Sequence, residues 1–138
     1  MYRSESRPST SFTRVSEPLE MSTADWTLSP SLDPVLLFRF SALTANAHRI
    51  HYDETYTMQT EGYPGLVVHG PLLAIYMAEL VRSRAGQRPL RSFEFRLRKP
   101  VFLGDPIGVQ GIPSSDTVEL AVMSGKANVH ASAKATLA

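Results

Sequence analysis

The chain has 138 residues, 43% of them hydrophobic and 20% charged, with a net charge of +1. That is the size and balance of one globular domain, and a charge so close to neutral leaves no electrostatic footprint for nucleic acid or an anionic membrane. There is no cysteine, which excludes disulfides, thiolate metal sites and a Cys nucleophile, and with no secretory h-region and no run of about 18 apolar residues the expected compartment is the cytoplasm.

Residues 1–31 are rich in Ser, Thr, Pro, Glu and Arg. Such a stretch buries too little apolar surface to offset its ordering entropy and is expected to be a polar, flexible N-terminal tail, or a docking arm for a partner. The folded domain is expected over 32–138. Pro34 is expected to open a strand through Phe40, with Leu36, Phe38 and Phe40 on one face. A polar loop follows that holds Asn46, His48, Arg49, His51 and Asp53. Asp53-x-x-Tyr56 suggests one or two helical turns, and Glu61-Gly62-Tyr63-Pro64-Gly65 has strong turn chemistry.

Leu66-Val67-Val68-His69 is short and apolar, and Gly70-Pro71 then opens a helix through Ala85. Pro fits the first helical turn because its missing N–H would have no partner there. Leu72, Leu73, Ile75, Tyr76, Met77, Leu80 and Val81 wrap most of the circumference, the pattern of a buried helix, and Gly86 is its stop.

The last third reads as β. Phe93, Phe95 and Leu97 alternate with charges, and Lys99-Pro100 breaks the strand, which marks a bulge or an edge. Val101-Phe102-Leu103 leads to a turn at Gly104-Asp105-Pro106. Strands follow around Ile107–Gly111 and Val118–Val122, with a hairpin turn at Ser124-Gly125. The final strand sets Ala127, Val129, Ala131, Ala133 and Ala135 against Asn128, His130, Ser132, Lys134 and Thr136. Small residues on its inner face let a helix approach closely. About five mostly antiparallel strands around one buried helix make an α+β domain.

Three segments carry a resemblance: Phe40–Thr44, His48–Asp53, and Glu61-Gly-Tyr-Pro-Gly-Leu-Val-Val-His-Gly-Pro-Leu-Leu73. With the later Phe93–Asp105 they resemble the MaoC-like hot-dog dehydratases and (R)-specific enoyl-thioester hydratases. The likeness is greatest to the catalytic half of the hydroxyacyl-thioester dehydratase type 2, mesaconyl-CoA and itaconyl-CoA hydratase branch, and covers Leu32 to Ala138. It implies a curved antiparallel sheet wrapped around a central helix, acting as a pair of hot dogs on acyl-CoA or acyl-carrier thioesters. The chain departs from the general motif in two places. The usual Asp is Asn46, and the Asn-Pro before the catalytic histidine is His48-Arg49. Members of the branch often carry two hot-dog halves, so a second half is expected from another subunit, in a homodimer or a heteromer. A lone hot dog also leaves a sheet edge open.

Hydrating an enoyl thioester needs a base for the water, an acid for Cα and donors for the thioester oxygen as it gains enolate charge. The resemblance assigns the acid/base role to His51, whose imidazole titrates near neutral pH. Asn46 cannot titrate, but it can orient water or substrate through its amide; an Asx-turn or helix cap is its alternative role. His48 is a second group able to titrate. The resemblance also assigns the Gly70 N–H, at a helix start whose dipole favours negative charge, as the oxyanion donor; a plain helix start is the alternative reading of Gly-Pro. His48, Arg49, Tyr63 and Gly65 are assigned to substrate contact, and His69 to structure. A zinc site at His48, His51 and Asp53 is weighed and set aside for want of a fuller ligand pattern, and no Gly-x-Ser-x-Gly is present.

Arg82, Arg84, Arg88, Arg91, Arg96, Arg98 and Lys99 are half of the chain's Lys and Arg. They form either a solvated face or a contact for CoA phosphates or an acidic carrier protein. The reading is therefore a hydro-lyase interconverting 2-enoyl and 3-hydroxyacyl thioesters, of mesaconyl- or itaconyl-CoA type, with no metal and no cofactor beyond the coenzyme A or acyl carrier of its substrate. The alternatives are a non-catalytic hot-dog subunit that binds acyl thioesters and completes a partner's site, and a hot-dog thioesterase.

Overall fold

A computed structural model describes residues 11–21 and 26–138. The elements are β1 (Trp26–Leu28), α1 (Pro34–Leu43), a 3-10 turn (Arg49–His51), α2 (Glu54–Gln59), α3 (Gly70–Arg84), β2 (Leu90–Leu97), β3 (Ile107–Pro113), β4 (Thr117–Ser124) and β5 (Asn128–Leu137). The strands form one antiparallel sheet in the order β1-β3-β4-β5-β2. It curves around α3, which packs against all five strands, so the domain is a single α+β hot dog.

α3 is the axis of the core. Gly70 and Pro71 start it as expected, and it stops at Ala85, with Gly86 at φ +66° directly after. Only a residue without a Cβ takes that conformation cheaply. Met77 and Leu80 are fully buried among Val109, Val118, Val122, Ala131 and Ala135. The alanines of β5 do let the helix come close. Truncation there leaves a cavity, so Met77→Ala is expected to lower the unfolding free energy by about 2–5 kcal/mol. A shift in the urea midpoint at constant slope measures it; an unchanged midpoint would mean that α3 is not the core element.

Three expectations are corrected. The segment from Pro34 is a helix rather than a strand. Its apolar residues fall on both odd and even positions, which imitates a strand on each face. The decisive signals are Asp33, whose Oδ1 accepts from the Leu36 N–H at 2.7 Å, and Pro34 in the first turn. Leu37 and Ser41, four residues apart, are its buried face. Second, the sheet begins before Leu32: Trp26, Thr27 and Leu28, in the stretch expected to be tail, pair with Gly111, Gln110 and Val109. Residues 11–21 also touch the domain. Arg14 donates to the carbonyls of Pro64 and Leu103, and Phe12 packs on Tyr63 and Phe102. Two parts of the expected tail, residues 1–10 and 22–25, lie outside the described residues.

Third, His130 points inward rather than outward. A register shift between Val122 and Met123 breaks the alternation, so that His130 and Ala131 are both buried. The Pro100 carbonyl can only accept, so His130 Nδ1 carries the proton toward it at 2.9 Å and Nε2 takes the Ser124 hydroxyl proton at 2.6 Å. This pins the chain just after β2.

β2 is an edge strand, as Lys99-Pro100 suggested, but its apolar residues are less covered than their alternation implied. Phe95 is 50% exposed and Leu97 47%. Among the described residues, no helix is long and apolar enough to cross a membrane.

Candidate active site

His51 closes the 3-10 turn and is buried. Two hydrogen bonds hold the turn against the centre of the fold: the Val67 N–H donates to the Ile50 carbonyl at 2.9 Å, and His51 Nδ1 lies 2.7 Å from the Val67 carbonyl. A carbonyl only accepts, so Nδ1 is the protonated nitrogen. Nε2 keeps the lone pair, the tautomer a base requires. Val67 is itself fixed, because Leu66–Val68 lies antiparallel to Val101–Leu103 through a bridge at Phe102.

His51 and Gly70 line one cavity of about 280 Å³, together with Val67, Val68, Leu73 and the run Leu97-Arg98-Lys99-Pro100-Val101. Its walls are apolar, with a single imidazole, one helix start and two cations. A Cβ on Gly70 would overlap Leu97 Cδ1, so glycine at this position keeps the cavity floor at backbone level.

His69 lies against His51. The rings stack with centroids 3.7 Å apart and planes 15° apart. His69 Nε2 is 2.8 Å from Ser41 Oγ, and Phe40 packs its edge against the ring at 4.8 Å. Burial holds both histidines below the usual imidazole range, against the pull of the Val67 bond on His51. His69 is pushed down to about 4 by burial and by its neighbour His51. Burial also lowers His130. All three are therefore neutral at pH 7.

This has a consequence for stability. An unfolded imidazole binds its proton near 6.5, above the folded values, so below that pH the unfolded chain binds more protons. The histidine contribution is complete above pH 6.5 and is lost as pH falls toward about 4. The melting temperature is expected to hold level above pH 7 and to decline between pH 6.5 and 5, before carboxylates titrate. A level or rising melting temperature in that window would contradict buried neutral histidines.

The remaining candidates divide. His48 is exposed, with its ring edge-on to His51 at 5.9 Å and Nε2 3.9 Å from Glu61 Oε1. Glu61 also accepts from the Tyr56 hydroxyl, which raises that phenol's pKa. Asn46 forms an Asx-turn: its Oδ1 accepts from the His48 N–H at 3.1 Å. It lines a neighbouring cavity of about 290 Å³ with Phe38, Ser41 and Tyr52 rather than the one holding His51 and Gly70. Arg49 is engaged locally. Its guanidinium pairs with Asp53 at 2.7 Å and lies 4.2 Å over the Tyr56 ring. Asp53 Oδ1 caps α2 through the Tyr56 N–H, so both carboxylate oxygens are used. Tyr63 and Gly65 belong to another wall. Tyr63 packs with Phe12 and Phe102, and Gly65 lies beneath the Arg14 guanidinium.

Sequence reasoning missed the pairing of Ser41 with His69, and it grouped Arg98 and Lys99 with five other cations, as a solvated face or a contact for CoA phosphates or an acidic carrier protein, without singling them out for the cavity. The first depended on α1 being a helix. The second had a signal, since both cations directly precede the Pro100 that ends the edge strand.

Similarity to known proteins runs in the same direction. The chain is 53% identical over 88 residues to the mesaconyl-C(4)-CoA hydratase of Chloroflexus aurantiacus, an alignment covering 64% of this chain and 31% of that protein. It is 43% identical over 86 residues to the mitochondrial hydroxyacyl-thioester dehydratase type 2 of Schizosaccharomyces pombe, covering 61% and 28%. It thus spans about a third of the length of these relatives. Its fold is similar to that of the (R)-hydratase of A. caviae, with a TM-score of 0.66 at 17% identity over 80% of this chain and 90% of that one. The family model for hydroxyacyl-thioester dehydratase type 2 matches residues 1–103, three-quarters of the chain, with the 3-10 turn, His51 and the whole of α3 inside the match, and the chain belongs to that family.

Proposed function

We propose that this domain is the histidine-bearing half of a hydro-lyase that adds water reversibly to a 2-enoyl thioester. The observation that carries the reading is the placement of His51 and Gly70 on one apolar-walled cavity, with His51 locked in the tautomer that leaves Nε2 basic. In the hydration direction, His51 Nε2 takes a proton from water as its oxygen bonds to Cβ. The electron pair of the Cα=Cβ bond moves toward the thioester carbonyl. The Gly70 N–H, at the positive end of α3, holds that oxygen while it carries charge. Return of the proton from His51 to Cα completes the 3-hydroxyacyl thioester and restores the neutral imidazole. The apolar walls keep other water from the enolate and strengthen the N–H···O contact.

Asn46 lines the neighbouring cavity with its carbonyl oxygen used in the loop, so its NH₂ is assigned to the part of a substrate that extends there rather than to the water at His51. His48 stands at the edge of His51, and Arg98 and Lys99 supply positive charge for an acyl-CoA or its distal carboxylate. The identity with the mesaconyl-C(4)-CoA hydratase supports a dicarboxylic acyl-CoA as substrate. A second hot-dog unit is expected to pair with this one along its sheet edge. The uncovered apolar residues of β2 support this.

The test is the enoyl-thioester absorbance band of crotonyl-CoA and mesaconyl-CoA with the purified protein. Loss of the band is expected, faster with mesaconyl-CoA. No loss from a folded, assembled protein would favour a subunit that binds acyl thioesters without turning them over, and release of free CoA from a saturated acyl-CoA would favour a thioesterase.

A further inference from the structure

We propose that His69 is a positioning residue for His51: stacked on its face and held from behind by Ser41, it fixes the plane of the reacting imidazole without exchanging a proton with it. The inference rests on His51 being the base, and it gives work to a buried group that the mechanism above leaves idle.

His69 is 1% exposed, and its Nδ1 is buried without a hydrogen-bond partner among the described residues. An unpartnered polar atom in the core is a cost that a leucine of similar volume would avoid. A merely space-filling residue has no reason to be a histidine. The ring is also placed with more precision than filling requires. It lies 3.7 Å from His51, with Ser41 Oγ 2.8 Å from Nε2 on one side and the Phe40 ring on another. Ser41 and Phe40 come from α1, so the element that departs most from its sequence pattern is the one that braces the stack.

The geometry separates positioning from proton relay. Imidazole N–H bonds and lone pairs lie in the ring plane, so two rings stacked at 15° present no nitrogen to each other. His69 is also neutral, held near 4, and so it places no second charge against His51 when that ring takes a proton. The other groups facing His51 are His48 at its edge and Arg98 and Lys99 across the cavity; among the described residues no carboxylate lines that cavity. Asp53 is engaged by Arg49, and Glu61 by Tyr56 and His48. Among the described residues, then, no acid orients His51, and its ring is held by the Val67 carbonyl and by the His69 face.

The experiment compares His69→Leu, His69→Phe and Ser41→Ala in the full chain, with two readouts. One is kcat and KM on crotonyl-CoA. The other is the ¹⁵N spectrum of the His51 ring, which reports its tautomer. His69→Leu is expected to lower kcat about 10–100-fold with KM within about 2-fold, as for a misplaced reacting group, and to turn the single Nδ1–H tautomer of His51 into a mixture. His69→Phe keeps a flat neutral face but loses the Ser41 bond, and is expected to fall between wild type and His69→Leu in both kcat and tautomer mixture. Wild-type kcat with a single tautomer in His69→Leu overturns the proposal, as does His69→Phe being as damaging as His69→Leu. If neither His69 variant folds, Ser41→Ala decides: a mixed tautomer supports the role and an unchanged spectrum removes it. If the wild-type protein does not turn over crotonyl-CoA, hydration of that substrate fails on its own, and the ¹⁵N spectra still decide whether His69 positions His51.

Discussion

Replacing His51 by Gln is expected to lower kcat/KM for the hydrated thioester by about 10²–10⁴-fold, the range lost when a general base is removed. Gln is chosen because it is polar, close to imidazole in length and does not titrate, while the backbone bond from the Val67 N–H to the Ile50 carbonyl at 2.9 Å holds the turn without the side chain. The 3-10 turn and the Ile50–Val67 pairing should survive, with the melting temperature within a few degrees of wild type. What is lost is a group that takes a proton at neutral pH. The effect should fall mainly on kcat, because the change leaves the apolar walls and both cations of the cavity in place. An unchanged rate in a folded His51→Gln protein would remove His51 from the chemistry. A large change in KM alone would make it a binding residue.

The second large effect is expected at the sheet edge. Phe95→Asp should weaken self-association or pairing with a second hot-dog half by about 30-fold or more, as when a buried interface aromatic is truncated. Phe95 lies on β2, which among the described residues pairs on one side only, Phe95 opposite Ala133 of β5. It is half exposed beside Phe93, with ring centroids 6.2 Å apart. An open edge carrying aromatics is a template for pairing. Phe95 does not line the cavity, so any loss of turnover would follow from the loss of assembly. Light scattering across a dilution series measures the first effect. If Phe95→Asp associates as tightly as wild type, the second half docks elsewhere.

How far the sequence disclosed this arrangement depends on where the information lies. α3 was legible end to end because its start and stop are local chemistry: Gly70-Pro71 at one end, Gly86 in a left-handed conformation at the other. α2 was legible for the same reason, through the Asp53 cap. α1 was not, because its apolar residues satisfy an alternating pattern as well as a helical one. Only the Asp33-Pro34 start separates the two. β1 has three residues, and what makes it a strand is β3, more than 80 positions away in sequence. The inward turn of His130 comes from a bulge, which shifts register without a distinctive residue.

The site shows the same division. His51 and Gly70 were visible as motif positions, and the fold brings them to one cavity. Asn46, by contrast, adopts the Asx-turn that its residue type also allowed, and Arg49 closes on an aspartate four residues away. Tyr63 and Gly65, assigned to substrate contact within the resembling segment, pack with Phe12 and lie beneath Arg14 instead of lining the cavity of His51 and Gly70. The stack of His69 on His51 could not be read from spacing, since it needs the 3-10 turn and the start of α3 to meet face to face.

The most direct test of the account is the pH dependence of kcat/KM for the wild-type protein beside His51→Gln. Burial holds His51 below the ordinary imidazole range, and the neutral form is the one that accepts a proton from water. The acid limb of the wild-type profile should therefore fall below 6.5, the ordinary histidine value, with the rate level from there toward pH 7.5. His51→Gln should show only a small residual rate without that limb. An acid limb at or above 6.5, or the same limb persisting in His51→Gln, would contradict the assignment of His51 as the base.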